Sequence, residues 1–184
     1  FSATINTART VAEKYFLPIR QKVDTNEPTF DGHHVRLLPE IKTAVQAVID
    51  SGLSCATADY DVGGMQLPRI VASAAGAYLS AAGGTMLGYS SLTNANCNLI
   101  EAHGTPEQIR TWVAPMRAGR FAGTMAMTEP AAGSGLADLS STAVARPDGT
   151  YRLRGSKIFI SGGDHDLNEN IVHLVLARVK GAPK

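Results

Sequence analysis

The hydrophobic pattern of this 184-residue chain changes character near residue 120. Before that point, apolar residues recur at three- and four-residue steps, which is typical of helices with one buried face. After it, short runs rich in β-branched residues alternate with glycine-containing turns, which is typical of strands. We therefore predict an α+β chain, with an all-α N-terminal domain over residues 1–119 and a β domain over residues 120–184.

The pattern also predicts individual elements. Helices are expected over residues 2–23, 38–50, 68–82, 86–102 and 105–118, and strands over residues 121–127, 141–145, 150–154, 157–161 and 171–179. Pro18 should kink or divide the first helix, and Gly83 and Gly84 should separate the third from the fourth. Thr105, followed by Gln108 three residues later, predicts a capping box. The polar residues 24–34 are expected to form a loop.

The charge and hydropathy of the chain argue against two classes of partner. The formal net charge is only +1, so no general electrostatic attraction to nucleic acid or to an acidic membrane surface is expected. The richest apolar stretch, residues 70–92, consists mostly of Ala, Gly and Ser. We predict that it forms packed core helices of a soluble protein, without an integral membrane segment.

Two cysteines, Cys55 and Cys97, are too few for a disulfide framework. Neither belongs to a Cys-x-x-Cys pair, so reduced, partly buried thiols are expected. This use of cysteine favours a cytoplasmic protein.

A cluster of hydroxyl groups and glycines follows the first predicted strand, in the segment Thr128-Glu129-Pro130-Ala131-Ala132-Gly133-Ser134-Gly135. Glycines allow a ligand to approach the backbone closely, and exposed N–H groups there can hold an anion. Taken alone, a glycine-rich turn after a strand is more often only a turn. The chain has neither a Walker motif nor the dinucleotide-fold glycine pattern.

Several motifs in register resemble the acyl-CoA dehydrogenase family. The stretch from Met125 to Ser134 resembles the flavin loop of that family, and Gly63-Gly64-Met65-Gln66-Leu67-Pro68 resembles its Gly-Gly turn. The capped segment 104–119 and the later segments 142–143, 151–155 and 157–163 are similar to family segments in the same order over residues 1–180. Residues 161–166 and 170–178 most resemble the longer-chain branch that includes the 3-methylthiopropanoyl-CoA dehydrogenases.

The resemblance implies FAD as cofactor, an acyl-CoA thioester as substrate and α,β-dehydrogenation as reaction. It further implies an antiparallel β-barrel middle domain, truncated here, and a homodimer or tetramer that passes electrons to an electron-transfer flavoprotein. In the family, a C-terminal helical bundle supplies the catalytic glutamate. We therefore expect no catalytic base within these residues, and we expect the chain to be an N-terminal portion that is inactive alone. The initial Phe1 suggests a cut or processed start.

The resemblance assigns three positions on the first strand and its end to the flavin. The backbone N–H of Met127 and the hydroxyl of Thr128 would stabilise negative charge on the pyrimidine edge of the reduced flavin. Met125 would lie in the pocket wall, where relatives often have an aromatic residue.

Three later positions complete the implied cofactor site. The Ser134 hydroxyl would lie beside a diphosphate or the CoA chain, and so contact cofactor or substrate. Phe159 would cover the flavin ring where relatives often have Trp, and Ser161 would form a hydrogen bond near N5. Gly135 departs from the family, which usually has Asp there, so a carboxylate that could brace the loop is missing.

Other polar residues are open to two interpretations each. Glu129 could be a catalytic carboxylate, but a structural role is favoured. The sequence Asp164-His165-Asp166 could suggest a metal site, but a solvated loop is favoured. The basic residues Arg152, Arg154 and Lys157 could meet CoA phosphates or form a solvated strand face.

Two further functions stay open at this stage. The chain could be a binding or interaction module that keeps the scaffold without a catalytic base. It could also belong to a flavin oxidase or monooxygenase that shares the scaffold.

Overall fold

A computed structural model describes residues 1–182. The helices are α1 (Ser2–Val11), α2 (Arg20–Thr25), α3 (Pro39–Asp50), α4 (Arg69–His103), α5 (Pro106–Gln108) and α6 (Ala114–Arg117). The strands are β1 (Thr29–Phe30), β2 (Val35–Arg36), β3 (Phe121–Ala126), β4 (Thr142–Ala145), β5 (Tyr151–Arg154), β6 (Asn170–Val175) and β7 (Arg178–Val179). The predicted order, a helical domain followed by a partial sheet domain, is confirmed.

The first predicted helix is divided near Pro18, as expected. Between α1 and α2 the chain stays helical but changes geometry, with a π-helical segment (Ala12–Phe16) and a 3-10 segment (Leu17–Ile19). Proline lacks the N–H that a regular helix needs at this position, so the hydrogen-bond spacing must change around it. The side chain of Phe16 is fully buried at this transition.

The third and fourth predicted helices form one kinked helix, α4. Gly83 has non-helical dihedral angles (φ −179°, ψ 63°), so the break lies where the sequence predicts it. The first half of α4 contributes Leu79 and Ala82 to a helical core shared with α1 and α3. The second half contributes Cys97 and Ile100 to a separate core that includes residues of β3 and β6.

By length and composition alone, α4 could cross a membrane, a test that the core helix of a soluble protein also passes. Its second half carries a buried asparagine, Asn96, whose side-chain amide donates hydrogen bonds to the carbonyls of Thr124 and Val172 at 3.1 and 2.9 Å. These bonds join the helix to both β3 and β6. The absence of an integral membrane segment stays a prediction.

The capping box is present. The N–H of Gln108 donates to Thr105 Oγ1 at 3.2 Å, and the N–H of Thr105 donates to Gln108 Oε1 at 2.8 Å. A π-helical segment (Ile109–Val113) follows before α6, and the chain leaves the helix at Gly119 with φ 75°. The predicted end of this helix is therefore confirmed.

In residues 1–182, strands β3 to β7 form two small sheets rather than a closed barrel: the first sheet consists of β3 and β6, and the second of β4, β5 and β7. β3 pairs with β6 in parallel, from Phe121 opposite Asn170 to Ala126 opposite Val175. β4 pairs antiparallel with β5 and parallel with β7. The expectation of purely antiparallel pairing is wrong, because the long connection between β3 and β6 returns the chain in the same direction.

Three local predictions are also wrong. The predicted strand 171–179 divides into β6 and β7, since the N–H of Leu176 still bonds to Ala126 while that of Arg178 bonds to Ser141 in the other sheet. The predicted strand 157–161 has no ladder partner in the described chain, and Phe159 within it has φ 57°. The polar loop 24–34 contains β1, which pairs with β2 in a short hairpin.

The segment 164–166 is a loop, as expected, but it is only partly solvated: Asp166 is exposed, Asp164 is half-buried and His165 is buried. The Asp164 carboxylate accepts a hydrogen bond from the N–H of Val35 at 2.9 Å, and the Asp166 carboxylate accepts one from the N–H of Leu37 at 3.4 Å. These carboxylates satisfy backbone donors along the outer edge of the hairpin. The segment thereby attaches the sheet domain to the helical domain.

Two residues at this attachment point, His165 and Leu167, are buried against helices. The His165 ring packs edge-on against Tyr89 of α4, with centroids 5.1 Å apart, and Leu167 belongs to the helical core. Burial lowers the pKa of His165, against the opposing effect of Asp164 and Asp166.

We expect acid to loosen this attachment. Since the folded state disfavours the protonated imidazole, the unfolded chain binds more protons, and stability should fall as the pH drops below about 6.5. His165→Phe keeps an aromatic ring against Tyr89 and removes the titration. Thermal unfolding at about pH 7.5 and about pH 5.5 should show a smaller acid-induced loss in this variant than in the wild type. Equal losses in both proteins would show that His165 does not contribute.

Both cysteines are free and buried, as predicted. Desolvation raises the pKa of Cys97 to about 11. The thiol is therefore overwhelmingly protonated at neutral pH and suited to core packing rather than to nucleophilic chemistry.

Candidate functional site

Met127 and Thr128 follow β3, and hydrogen bonds fix the direction of their peptide groups. The carbonyl of Ala126 accepts a hydrogen bond from the N–H of Leu176, next to β6, at 3.1 Å. Because the two groups of a trans peptide point in opposite directions, the N–H of Met127 points away from β6. Met127 is exposed and Thr128 is half-buried.

The carbonyls of these two residues are both occupied. Lys157 Nζ donates to the Met127 carbonyl at 2.9 Å, and the N–H of Ile158 donates to the Thr128 carbonyl at 3.1 Å. Within residues 1–182, no backbone carbonyl or side chain accepts a hydrogen bond from the N–H of Met127 or of Thr128. The Thr128 hydroxyl likewise has no partner in this part of the chain. Three donors at one strand end are thus available to a ligand.

Glu129, directly after these donors, is buried and fully engaged. Its carboxylate accepts hydrogen bonds from the N–H and hydroxyl of Ser140 at 2.8 and 2.7 Å, and from the N–H of Ser141 at 3.0 Å. Lys157 Nζ adds a fourth contact at 2.9 Å. Hydrogen bonds from Ser141, Lys157 and Ser140 hold the pKa of this carboxyl well below its usual range. The preferred structural role of Glu129 is supported, since a carboxylate with these bonds is a poor proton acceptor.

Phe159 lies just beyond the segment that bonds to Thr128. Its side chain is 88% exposed, and its backbone is in the left-handed region at φ 57°. The left-handed backbone is uncommon for an aromatic residue and costs roughly 1–3 kcal/mol in strain. An exposed ring one residue from the Thr128 contact can offer a flat apolar face to a planar ligand.

The other three predicted site residues are less closely tied to these donors. Met125 is half-buried in β3, on the same side of the strand as Met127. Ser134 is exposed in the loop after β3, and Ser161 is exposed at a turn closed by a bond from the N–H of Gly163 to Ile160. In residues 1–182, no hydrogen bond joins either serine to the Met127–Thr128 donors. The roles of all six predicted site residues stay predictions.

The loop at Gly135 is braced by other means than an aspartate at that position. A 3-10 turn (Leu136–Asp138) follows at once, and a Cβ on Gly135 would lie 3.2 Å from Asp138 Oδ2. Arg178 Nε donates to the Leu139 carbonyl at 3.1 Å. A carboxylate from Asp138 therefore already lies beside the place where the family usually has one.

The sequence did not reveal the role of Lys157. The sequence pattern groups it with Arg152 and Arg154, but these two lie exposed on β5, while Lys157 is mostly buried and paired with Glu129. The partners are 28 residues apart, and no periodic pattern links them. No group of three or more His, Cys, Asp and Glu side chains in the described chain is placed to hold a metal.

Two family models match the chain. Residues 2–120 match the N-terminal domain of acyl-CoA dehydrogenases, and residues 124–184 match their middle domain. The chain therefore belongs to the acyl-CoA dehydrogenase family.

Individual relatives agree with this assignment. The chain is 38% identical over 167 residues to 3-methylmercaptopropionyl-CoA dehydrogenase of Ruegeria pomeroyi, covering 91% of this chain and 28% of that protein. It is 35% identical over 162 residues to the broad-specificity linear acyl-CoA dehydrogenase FadE5 of Mycobacterium tuberculosis, covering 86% of this chain and 26% of the relative. The predicted family and branch are thus confirmed, and the chain spans about a quarter of the length of these relatives.

Solved structures share the fold. A glutaryl-CoA dehydrogenase from Mycobacterium smegmatis, in complex with FADH2, superposes with a TM-score of 0.79 at 19% identity, covering 97% of this chain and 42% of that one. This likeness supports the observed architecture of a helical domain followed by a partial sheet domain.

Proposed function

We propose that this chain is the N-terminal portion of an FAD-dependent enzyme that dehydrogenates an acyl-CoA thioester between its α and β carbons. The observation that carries the proposal is the set of unpartnered donors at Met127 and Thr128, beside the exposed ring of Phe159. The family membership of the chain and the named activities of its relatives support the same reaction.

The residues at this strand end fit a flavin. A flavin ring is planar and has hydrogen-bond acceptors along its pyrimidine edge, and the site offers adjacent donors and an exposed aromatic face. When bound, FAD supplies the oxidising chemistry by accepting a hydride. Met127 and Thr128 would donate hydrogen bonds to the edge that gains negative charge, without carrying a charge themselves.

The remaining predicted residues would orient cofactor and substrate. Phe159 would cover the ring, Met125 would form part of the pocket wall, and Ser161 would donate a hydrogen bond near the ring centre. Ser134 would bind the diphosphate of the cofactor or the chain of CoA. A base contributed from outside residues 1–184 would remove the α-proton, since Glu129 is committed to its hydrogen bonds.

The wider setting is part of the proposal. We propose an electron-transfer flavoprotein as electron acceptor, a homodimer or tetramer as assembly, and the cytoplasm as location. The free thiols Cys55 and Cys97 are compatible with a reducing compartment.

Titration of the full-length protein with an acyl-CoA, first without oxygen and then in air, tests the reaction. Bleaching of the flavin absorbance without oxygen consumption in air is the expected result. Bleaching followed by rapid peroxide release would instead indicate an oxidase. A protein that binds FAD but is not bleached by any acyl-CoA would contradict dehydrogenation and favour a binding module.

A further inference from the structure

We infer that Lys157 is a positioning residue that fixes the direction of the Thr128 N–H toward the flavin, an inference that rests on the proposed function. Lys157 need not touch the cofactor. It acts through the carbonyl of Met127, which belongs to the same peptide unit as the Thr128 N–H.

The ammonium group of Lys157 joins two separate parts of the site. It donates at 2.9 Å to the Met127 carbonyl and at 2.9 Å to Glu129 Oε1. The side chain of Lys157 is only 12% exposed and that of Glu129 only 2%, so water competes little for either group. A lysine so deeply enclosed needs a counter-charge, which Glu129 provides.

Glu129 is itself anchored to the second sheet. Its carboxylate is held by the backbone N–H groups of Ser140 and Ser141, immediately before β4. The position of the ammonium is therefore set by β4 through Glu129, rather than by the flexible stem of the lysine.

Because the peptide bond is trans, holding the Met127 carbonyl also fixes the direction of the Thr128 N–H. Lys157 holds the Met127 carbonyl, so the Thr128 N–H of the same peptide must point the opposite way. The neighbouring residue Ile158 holds the Thr128 carbonyl in turn. The Met127 N–H belongs to the preceding peptide, whose Ala126 carbonyl is held by the N–H of Leu176. Each peptide that carries one of the two N–H donors is thus held at its carbonyl, and in the described residues neither N–H has a partner.

The test uses the full-length flavoprotein and three variants. Lys157→Met keeps the length of the side chain and removes its donors. Lys22→Met is the matched control, since Lys22 forms an exposed pair with Glu40 in the helical domain. The double variant Lys157→Met with Glu129→Gln removes both charges and so avoids a buried unpaired carboxylate.

Three measurements separate positioning from stability. Amide hydrogen exchange of residues 121–135 in the FAD-free protein should speed up several-fold in Lys157→Met and in the double variant, but not in Lys22→Met. The reduction potential of bound FAD should become more negative in both Lys157 variants. Bleaching of the flavin by an acyl-CoA should slow by about tenfold to a hundredfold in both Lys157 variants. The double variant should still fold normally.

The outcomes distinguish this inference from the proposed function. The positioning role is overturned if an acyl-CoA bleaches the wild type and the double variant folds but has the same hydrogen-exchange rate, FAD reduction potential and bleaching rate as the wild type. A double variant with faster exchange and a shifted potential supports it, even where Lys157→Met alone does not fold. A wild type that no acyl-CoA bleaches contradicts the proposed function instead, while the exchange result still tests the anchoring of the loop.

Discussion

Thr128→Ala in the full-length protein is expected to slow flavin bleaching by an acyl-CoA about tenfold to a thousandfold. The half-buried hydroxyl at the end of β3 has no partner in the described chain, so its loss costs little within the protein. The effect should arise where negative charge develops during the reaction, because a preorganised donor is worth most there. Stopped-flow absorbance under anaerobic conditions measures the rate.

Two matched variants show whether the hydroxyl is responsible. Thr128→Ser keeps the hydroxyl and should retain most of the rate. Thr150→Ala removes a hydroxyl that bonds only to Asp148 in an exposed turn, and it should leave the rate unchanged. A Thr128→Ala protein that is bleached as fast as the wild type would refute the assigned role.

Phe16→Ala is expected to lower the free energy of unfolding by about 3–5 kcal/mol. The Phe16 ring is fully buried where the divided first helix meets the kink of α4, and a Cβ on Gly83 would lie 3.1 Å from Phe16 Cδ1. Truncation leaves a cavity between two backbones whose geometry is already irregular, so little collapse can fill it. Urea unfolding of the purified protein, followed by ellipticity, measures the loss.

Phe30→Ala is the matched control. Phe30 is exposed on β1, and its truncation should change stability by no more than about 0.5 kcal/mol. Equal losses for the two variants would show that the junction at Gly83 does not depend on the Phe16 ring.

Local signals in the sequence predict the helical domain well. The Thr105–Gln108 capping box, the division at Pro18 and the kink at Gly83 each depend on residues within one or two helical turns. Such features follow from hydrogen-bond geometry that neighbouring residues determine.

Pairing between distant segments could not be predicted in the same way. The sequence pattern does not show that β3 and β6 run parallel, because strand direction depends on the path of the whole connection. The segment around Phe159 has the composition of a strand, but its contact with Thr128 and its left-handed residue replace a ladder.

The candidate site shows the same contrast. The resemblance predicts the flavin-facing roles of Met127 and Thr128, and the structure shows that their N–H groups are free in the described residues. The support behind them, Lys157 and Glu129, comes from side chains 28 residues apart that meet only in the folded chain.

The two hydrogen bonds from Asn96 affect how the protein can fold during its synthesis on the ribosome. Its acceptors, Thr124 and Val172, are 28 and 76 residues away along the chain. Apart from Leu167, the core around Phe16 is built from residues 11–86, which emerge early, but the second half of α4 must wait for β6 to be synthesised. Until then, an apolar helix with an unpaired amide is exposed to other nascent chains. We expect this interval to be the stage of synthesis at which the protein most depends on chaperones.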